Sequence, residues 1–394
     1  SSLRQLHADR ASSLEPSLPS VIKSLVSVSQ CESYRPDAVR AAFLAALAPW
    51  GGMPRFVRPG MRVLLKPNLV KAAHPSQGIT THPVVVQVVA ELVRDAGGSV
   101  QVGDSPAVRA QMTDHVLRET GMLDAAGASG AQIVRFESKR WQRLHELDYL
   151  VAAPVEEVDL TINLPKLKTH SLTLYTGAVK NLFGTIVGSR KRELHLARPG
   201  IVAFSQVLVD VLQLARPGLT IMDGILGIEG NGPGASGTPR HYRCLLASPD
   251  AVALDSVVAQ AMGYRHGEVL HLRQAGERGL GAADPRGIDV VGDLAALRFG
   301  KLHLPRIGQL LRVPSWVTRP LRPLAHVRPA LRVAECVGCG ACVDVCPTGA
   351  MTAGEFPQLI ASRCIGCLCC VEVCPQGALE PRRSLLARLI GIGR

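Results

Sequence analysis

Two short runs near the end of the chain leave it the least freedom. Residues 336–347 read CVGCGACVDVCP and residues 364–375 read CIGCLCCVEVCP; each is C-x2-C-x2-C-x3-C-P, and they start 28 positions apart. Nine of the eleven cysteines fall between 336 and 374, and the opening residues lack the apolar stretch of a secretory leader. Cysteines used in this way point to metal rather than to a disulfide framework. Three thiolates two residues apart can wrap one face of a cube. Gly338, Gly340 and Gly366 let backbone N–H groups turn toward its sulfides, and the proline after the fourth cysteine redirects the chain. Zinc fits poorly, because its structural sites take ligands in two pairs rather than three at one knuckle and a distant fourth. The expected cofactors are two [4Fe–4S] cubanes, which under full thiolate ligation carry electrons and do no chemistry on carbon.

Over about 45 residues this segment resembles the two-cluster bacterial ferredoxins and departs from their ligand pattern nowhere. The resemblance implies crossed ligation. One cluster takes Cys336, Cys339, Cys342 and Cys374, and the other takes Cys364, Cys367, Cys370 and Cys346. Cys369 aligns with Ala341 of the first run and is read as a packing residue.

The remaining residues need their own core. A chain of 394 residues is longer than one core usually serves, and 47% hydrophobic residues is ample for packing. No apolar run approaches the roughly 18 to 20 residues that span a bilayer, and a cytoplasmic protein is expected. The net charge of +12 is concentrated: residues 294–334 hold eight Lys or Arg and no acid, and 381–394 hold four Arg and no acid. Aromatic residues are only 4% of the chain, so base-stacking platforms are scarce and nucleic acid is not the expected partner. A basic linker suits an acidic protein partner, such as a low-potential ferredoxin or flavodoxin. The expected division is a tail 1–20, an α/β domain 21–293, a basic Pro/Arg-rich linker 294–330, the cluster domain 331–380 and a basic tail 381–394. The linker's apolar residues suggest that it wraps one of the domains. The last tail, 14 residues with four Arg, is a thin basis for an amphipathic helix on anionic lipid, the alternative to docking on a protein.

From Val21 to Asp293, β-rich runs alternate with helical patterns. Strands are expected in SLVSVSQC, MRVLLKPNLV, SVQVGDSP, AQIVRF, EVDLTINLP, LTIMDGI, YRCLLAS and GIDVVGD. Helices are expected over 82–96, 113–124, 172–187, 200–215, 251–263 and 267–277. The fold class is therefore an α/β domain with a mixed or largely parallel sheet, followed by a small α+β ferredoxin-like domain. In such sheets ligands collect at the carboxyl ends of strands. Polar groups stand at several: KPN, GDSP, NLPKLKTH and DG. Their convergence would form a cleft for an anion, phosphate or carboxylate, with Lys66, Asn68, Ser105, Asn163, Lys166, Lys180 and Asn181 as binding residues. Lys168, His170 and Asp104 are the candidate catalytic residues, His170 as a proton source near neutral pH and Asp104 or Asp223 as an acid/base or metal contact. A further metal on His74, His82, His170 and His195 is conceivable only through folding, since none form an i, i+4 pair. GPGASG (Gly232–Gly237) matches G-x-G-x-x-G but precedes a strand pattern, so NAD binding is set aside and the stretch from Asp223 is read as a flexible loop or lid. No flavin fingerprint or P-loop lysine is present.

Together LLKPNLV, THPVVVQVVAELVRDAGGSVQVGDSP, INLPKLKTH, GAVKNLFG, MDGILGIEGNGPG and ASPDAVALDSVVAQAMGY resemble the family numbered 362 among the domains of unknown function, over residues 21–293. The resemblance implies fusion to ferredoxin-like modules and no established reaction. The expected function is a reductase that passes electrons from its clusters to an anionic acceptor gripped by the front-domain lysines. The alternatives are an electron-transfer subunit with no turnover of its own, and a redox sensor.

Overall fold

The computed structural model describes residues 23–106, 113–305, 326–385 and 387. The chain begins with β1 (Ser24–Gln30), α1 (Pro36–Leu47), β2 (Arg62–Lys66), α2 (Pro83–Asp95), β3 (Ser99–Val102), α3 (Thr113–Glu119), α4 (Met122–Ser129) and β4 (Gln132–Ile133). A separate hairpin of β5 (Lys139–Leu144) and β6 (Leu147–Ala152) leads through α5 (Pro154–Glu157) to β7 (Leu160–Asn163), β8 (Lys166–His170) and β9 (Leu174–Thr176). There follow α6 (Ala178–Asn181), α7 (Arg190–Ala197), α8 (Ile201–Ala215), β10 (Leu219–Gly230), β11 (Gly237–Ser248), α9 (Ala251–Ala261), α10 (Leu270–Glu277) and β12 (Ile288–Gly292).

Ten strands join in one sheet, ordered β12-β1-β11-β10-β7-β2-β3-β4, with β8 on β10 and β9 on β8. Pairing is parallel except at β1–β11, β10–β11 and β8–β9, which gives the mixed α/β architecture expected. Strand alternation sets the layers. Leu64 and Leu246 join the core under α8, α9 and α10, whereas Val63, Leu65, Leu245 and Ala247 join the core under α1, α2 and α4. Helix α2 starts where its sequence says it should: Pro83 is at its first turn, and His82 Nδ1 accepts from the Val84 amide at 3.3 Å.

Two expectations are corrected. Residues 172–187 are not one helix: Leu174–Thr176 pair with β8, and helical geometry is confined to Ala178–Asn181 and the 3-10 turn Leu182–Thr185. Gly177 starts that turn late, because Asp255 captures the amides of Ala178 and Val179 at 2.7 and 2.9 Å. The glycine-rich stretch after Asp223 is no lid. It continues β10 to Gly230, and glycine recurs because the neighbouring backbone comes too close for a side chain; a Cβ on Gly227 would collide with the Leu167 carbonyl. Only 231–236 turn, and β11 opens at Gly237 where a dinucleotide-binding fold would open a helix.

The C-terminal region is small and ferredoxin-like. β13 (Val327–Leu331) pairs antiparallel with β16 (Leu379–Arg383), and β14 (Met351–Thr352) with β15 (Gln358–Leu359). Each cysteine run ends in a short helix, Ala341–Asp344 and Cys369–Val373. Of the basic linker, Phe299 is buried edge-on against Tyr242, while 306–325 and most of the terminal tails lie outside the described residues. Among the described residues no helix is long and apolar enough to cross a membrane.

Candidate functional site

Strand β8 reads KLKTH, and its two-residue period puts Lys166, Lys168 and His170 on one face. All five residues are buried, so each polar head must find a partner inside the protein. Lys166 Nζ donates to Asp223 Oδ2 and to the Tyr34 hydroxyl, each at 2.7 Å. The Tyr34 hydroxyl donates to Asp223 Oδ1 at 2.8 Å, and its ring stacks on His82 at 3.6 Å. Lys168 Nζ donates to Asn68 Oδ1 and to the Ile79 carbonyl, both at 2.7 Å. His170 Nδ1 accepts from the amides of Leu172 and Thr173 at 3.0 and 3.3 Å, which places the ring proton on Nε2. That Nε2 stands 3.8 Å from Glu372 Oε2, and Lys180 Nζ stands 3.5 Å from Glu372 Oε1. Glu372 belongs to the second cysteine run, so the row ends on the C-terminal region.

The strand ends converge as the sequence suggested, but into a packed network rather than a cleft. Lys66, at the end of β2, pairs with Asp104 at 2.7 Å with both side chains buried. Asp104 also accepts from the amides of Leu69 and Ser105 at 2.8 and 2.9 Å. Asn181 accepts from Asn68 at 3.0 Å and donates to Asn163 at 2.8 Å, and Asn163 donates to the Ala178 carbonyl at 2.9 Å. Ser105 offers its carbonyl to Lys191. Lys66, Lys166 and Lys180 thus meet the protein's own carboxylates, which corrects the expectation of a set of cations waiting for a ligand.

Burial dominates the titration of this row. It lowers the pKa of Lys66 and Lys166 against the pull of Asp104 and Asp223, and it brings Lys168 down to about 7. His170 falls to about 4, chiefly through burial and then through Lys180. The ring is therefore neutral near pH 7 and is not the imidazolium proton donor that the sequence suggested. Burial pushes the Glu372 carboxyl up, but Lys180, His170 and Lys168 outweigh it and hold the group well below the usual carboxylate range.

In the C-terminal region, Cys336, Cys339, Cys342 and Cys374 line one cavity together with Gly338 and Gly340. Cys374 reaches it from the second run. The Cys370 thiol is pushed up first by burial and then by Cys367, Cys364, Cys346 and Cys342, so cysteines of both runs crowd it. Gly338 and Gly366 adopt left-handed φ of 66° and 67°, the conformation that aims backbone amides inward. Leu368 takes φ 61° where the first run has Gly340 at 74°, a strained choice for a side chain. Four soft thiol donors around one cavity, one of them from the other run, fit an iron–sulfur cluster. Among the described residues no group of three or more His, Cys, Asp or Glu is arranged to hold a single metal ion.

Sequence reasoning missed the residues that join the two regions. Lys71 Nζ donates to the Cys374 carbonyl at 2.6 Å, Ser236 Oγ to the Leu379 carbonyl at 2.9 Å, and Arg192 to the Asp344 carbonyl at 2.8 Å. The hairpin tip that carries GPGASG packs on the C-terminal region, with Gly234 against the Glu372 backbone and Ala235 against Gly377. Nothing in the sequence singled out Glu372, because the first cysteine run carries Asp344 at the equivalent position.

Residues 335–378 match a family described as a 4Fe-4S dicluster domain, and residues 63–260 match the domain of unknown function DUF362. A thylakoid-associated protein, sll1697, of Synechocystis sp. is 39% identical over 245 residues, which is 61% of this chain and 75% of that protein. The apoprotein of a lactate racemase from Thermoanaerobacterium thermosaccharolyticum overlaps 56% of this chain and 54% of its own, at 12% identity and a TM-score of 0.34, a likeness too slight to transfer fold or chemistry. With half its length matched and a relative of this identity covered over three quarters, the chain belongs to the DUF362 family and carries an iron–sulfur dicluster region at its C-terminal end.

Proposed function

We propose that the chain is an electron-transfer protein with two [4Fe–4S] clusters, one on Cys336, Cys339, Cys342 and Cys374 and the other on Cys364, Cys367, Cys370 and Cys346, and with no turnover of its own. The observation that carries this reading is Glu372. The cation row that would grip an anionic acceptor is closed at its open end by the protein's own carboxylate. Bound cubanes supply one-electron uptake and release. The chain's residues do the rest: Lys180 pairs with Glu372, Lys71 and Ser236 donate to backbone carbonyls of the C-terminal region, and the hairpin tip covers one side of it from water. Cys339 stays exposed beside exposed Val333 and Val337, an apolar edge on which a redox partner could dock.

The test is anaerobic reconstitution followed by iron and sulfide analysis and spin counting after dithionite reduction. About eight irons and two spins per chain are expected, with dye reduction by the isolated protein and one stoichiometric partner in pull-downs. Saturable turnover of a small anion by the isolated chain would overturn the reading in favour of a reductase. One observation favours that second reading: Lys168 has only neutral oxygens as partners, and no carboxylate among the described residues lies within 4.0 Å of it. A reductase would lose turnover on replacement of Lys168 and His170; an electron-transfer protein would keep its dye reduction.

A further inference from the structure

Lys71 and Lys168 are the buried front-domain lysines that meet only neutral oxygens, and of the two Lys71 finds its partner in the C-terminal region. Lys66 and Lys166 face carboxylates of their own domain, whereas Lys71, 3% exposed, leaves the loop after β2 and reaches across the seam to the Cys374 carbonyl. Among the described residues no carboxylate lies within ion-pair distance of it. The hairpin tip seals it in: a Cβ on Gly234 would stand 3.3 Å from the ammonium and 2.8 Å from the Glu372 carbonyl oxygen. Cys374, whose carbonyl it meets, lines the first cavity with Cys336, Cys339 and Cys342.

An ammonium taken from water without a carboxylate is costly unless something else carries the opposite charge. A cubane on four thiolates is anionic and gains a further negative charge on reduction, and net charge nearby is among the factors that set its potential. We infer that Lys71 is a fixed counter-charge, supplied by the front domain to the cluster on Cys336, Cys339, Cys342 and Cys374, and that it raises the reduction potential of that cluster alone. This rests on the electron-transfer reading and gives the front domain a task within it. Lys71 is a positioning residue: its proton stays in place, and the electron comes from the external reductant.

The experiment is a redox titration of the full chain, reconstituted anaerobically, with dithionite and mediators, each couple followed by electron paramagnetic resonance. Lys71→Met removes charge and hydrogen bond, Lys71→Gln keeps a donor without the charge, and Lys71→Arg keeps the charge. Met and Gln should each make one of the two clusters at least tenfold harder to reduce, about 59 mV for a one-electron couple, and leave the other in place. Arg should stay near the parent. Unmoved potentials, an Arg variant displaced as far as Met, or both couples moving together would overturn the inference. If the Met variant fails to fold, the contrast between Gln and Arg answers the same question. A parent chain that takes up no cluster overturns the electron-transfer reading as well, whereas loaded clusters with unmoved potentials overturn this inference alone.

Discussion

The contact between Lys180 and Glu372 allows the attachment of the two regions to be weighed. The charges stand 3.5 Å apart, with side-chain exposures of 11% and 20%. At that separation and an effective dielectric constant near 20, two unit charges attract by about 5 kcal/mol. Desolvation of both groups offsets much of this, which leaves on the order of 2–3 kcal/mol. The perturbation is a cycle of Glu372→Gln, Lys180→Met and the double variant, made in the full cluster-loaded chain. Hydrogen exchange at residues 368–373 and 231–237 reads local opening directly and needs no two-state unfolding. Each single variant should open the seam about 30- to 150-fold more often, because it strands the remaining charge. The double variant should cost clearly less than the sum of the two. Additivity within about 0.5 kcal/mol would refute the pairing, and so would single variants that exchange like the parent.

Three further outcomes are expected. Burial lowers His82 to about 4 and His271 to about 3. Unfolded histidine binds its proton near 6.5, so the stability they contribute is complete above about pH 6.5 and is lost as the pH falls toward 4, by up to about 1.4 kcal/mol per pH unit for each. Thermal midpoints from pH 7.5 to 5 should show this fall, and His271→Gln should flatten it; an unchanged slope would count against the assignment. Cys370→Ala should remove about half the bound iron and Cys369→Ala almost none, so equal losses would overturn the ligand assignment. Gly227→Ala sets a methyl against the Leu167 carbonyl and should cost about 1–3 kcal/mol by parting β10 from β8; a neutral midpoint would mean that the strands can separate freely.

Much of this protein is local information, and local information is legible in a sequence. The cysteine spacing named a chemistry because all eight proposed ligands lie within 39 residues and their geometry depends on short turns. Strands β1, β2, β3 and β7 and helices α2, α8 and α9 could be read because period and caps are properties of neighbouring residues. Lys166, Lys168 and His170 could be read as charged groups at a strand end, but that they share one face followed only from strand β8. What the face looks at was not legible. Asp223 lies 57 positions from Lys166, and Cys374 lies 303 positions from Lys71. A lysine's partner is chosen by whichever carboxylate the sheet order brings beside it, and sheet order depends on non-local pairing. The run 172–187 failed as a helix for the same reason, since pairing with β8 and capture by Asp255 outweighed its local preference. The sequence by itself therefore determined the cofactor chemistry, the α/β class and the positions of the charged groups. Only the tertiary structure decided that those charges face one another and the iron–sulfur region, because electrostatic partners are set by distance in space, which the chain fixes only once it has folded.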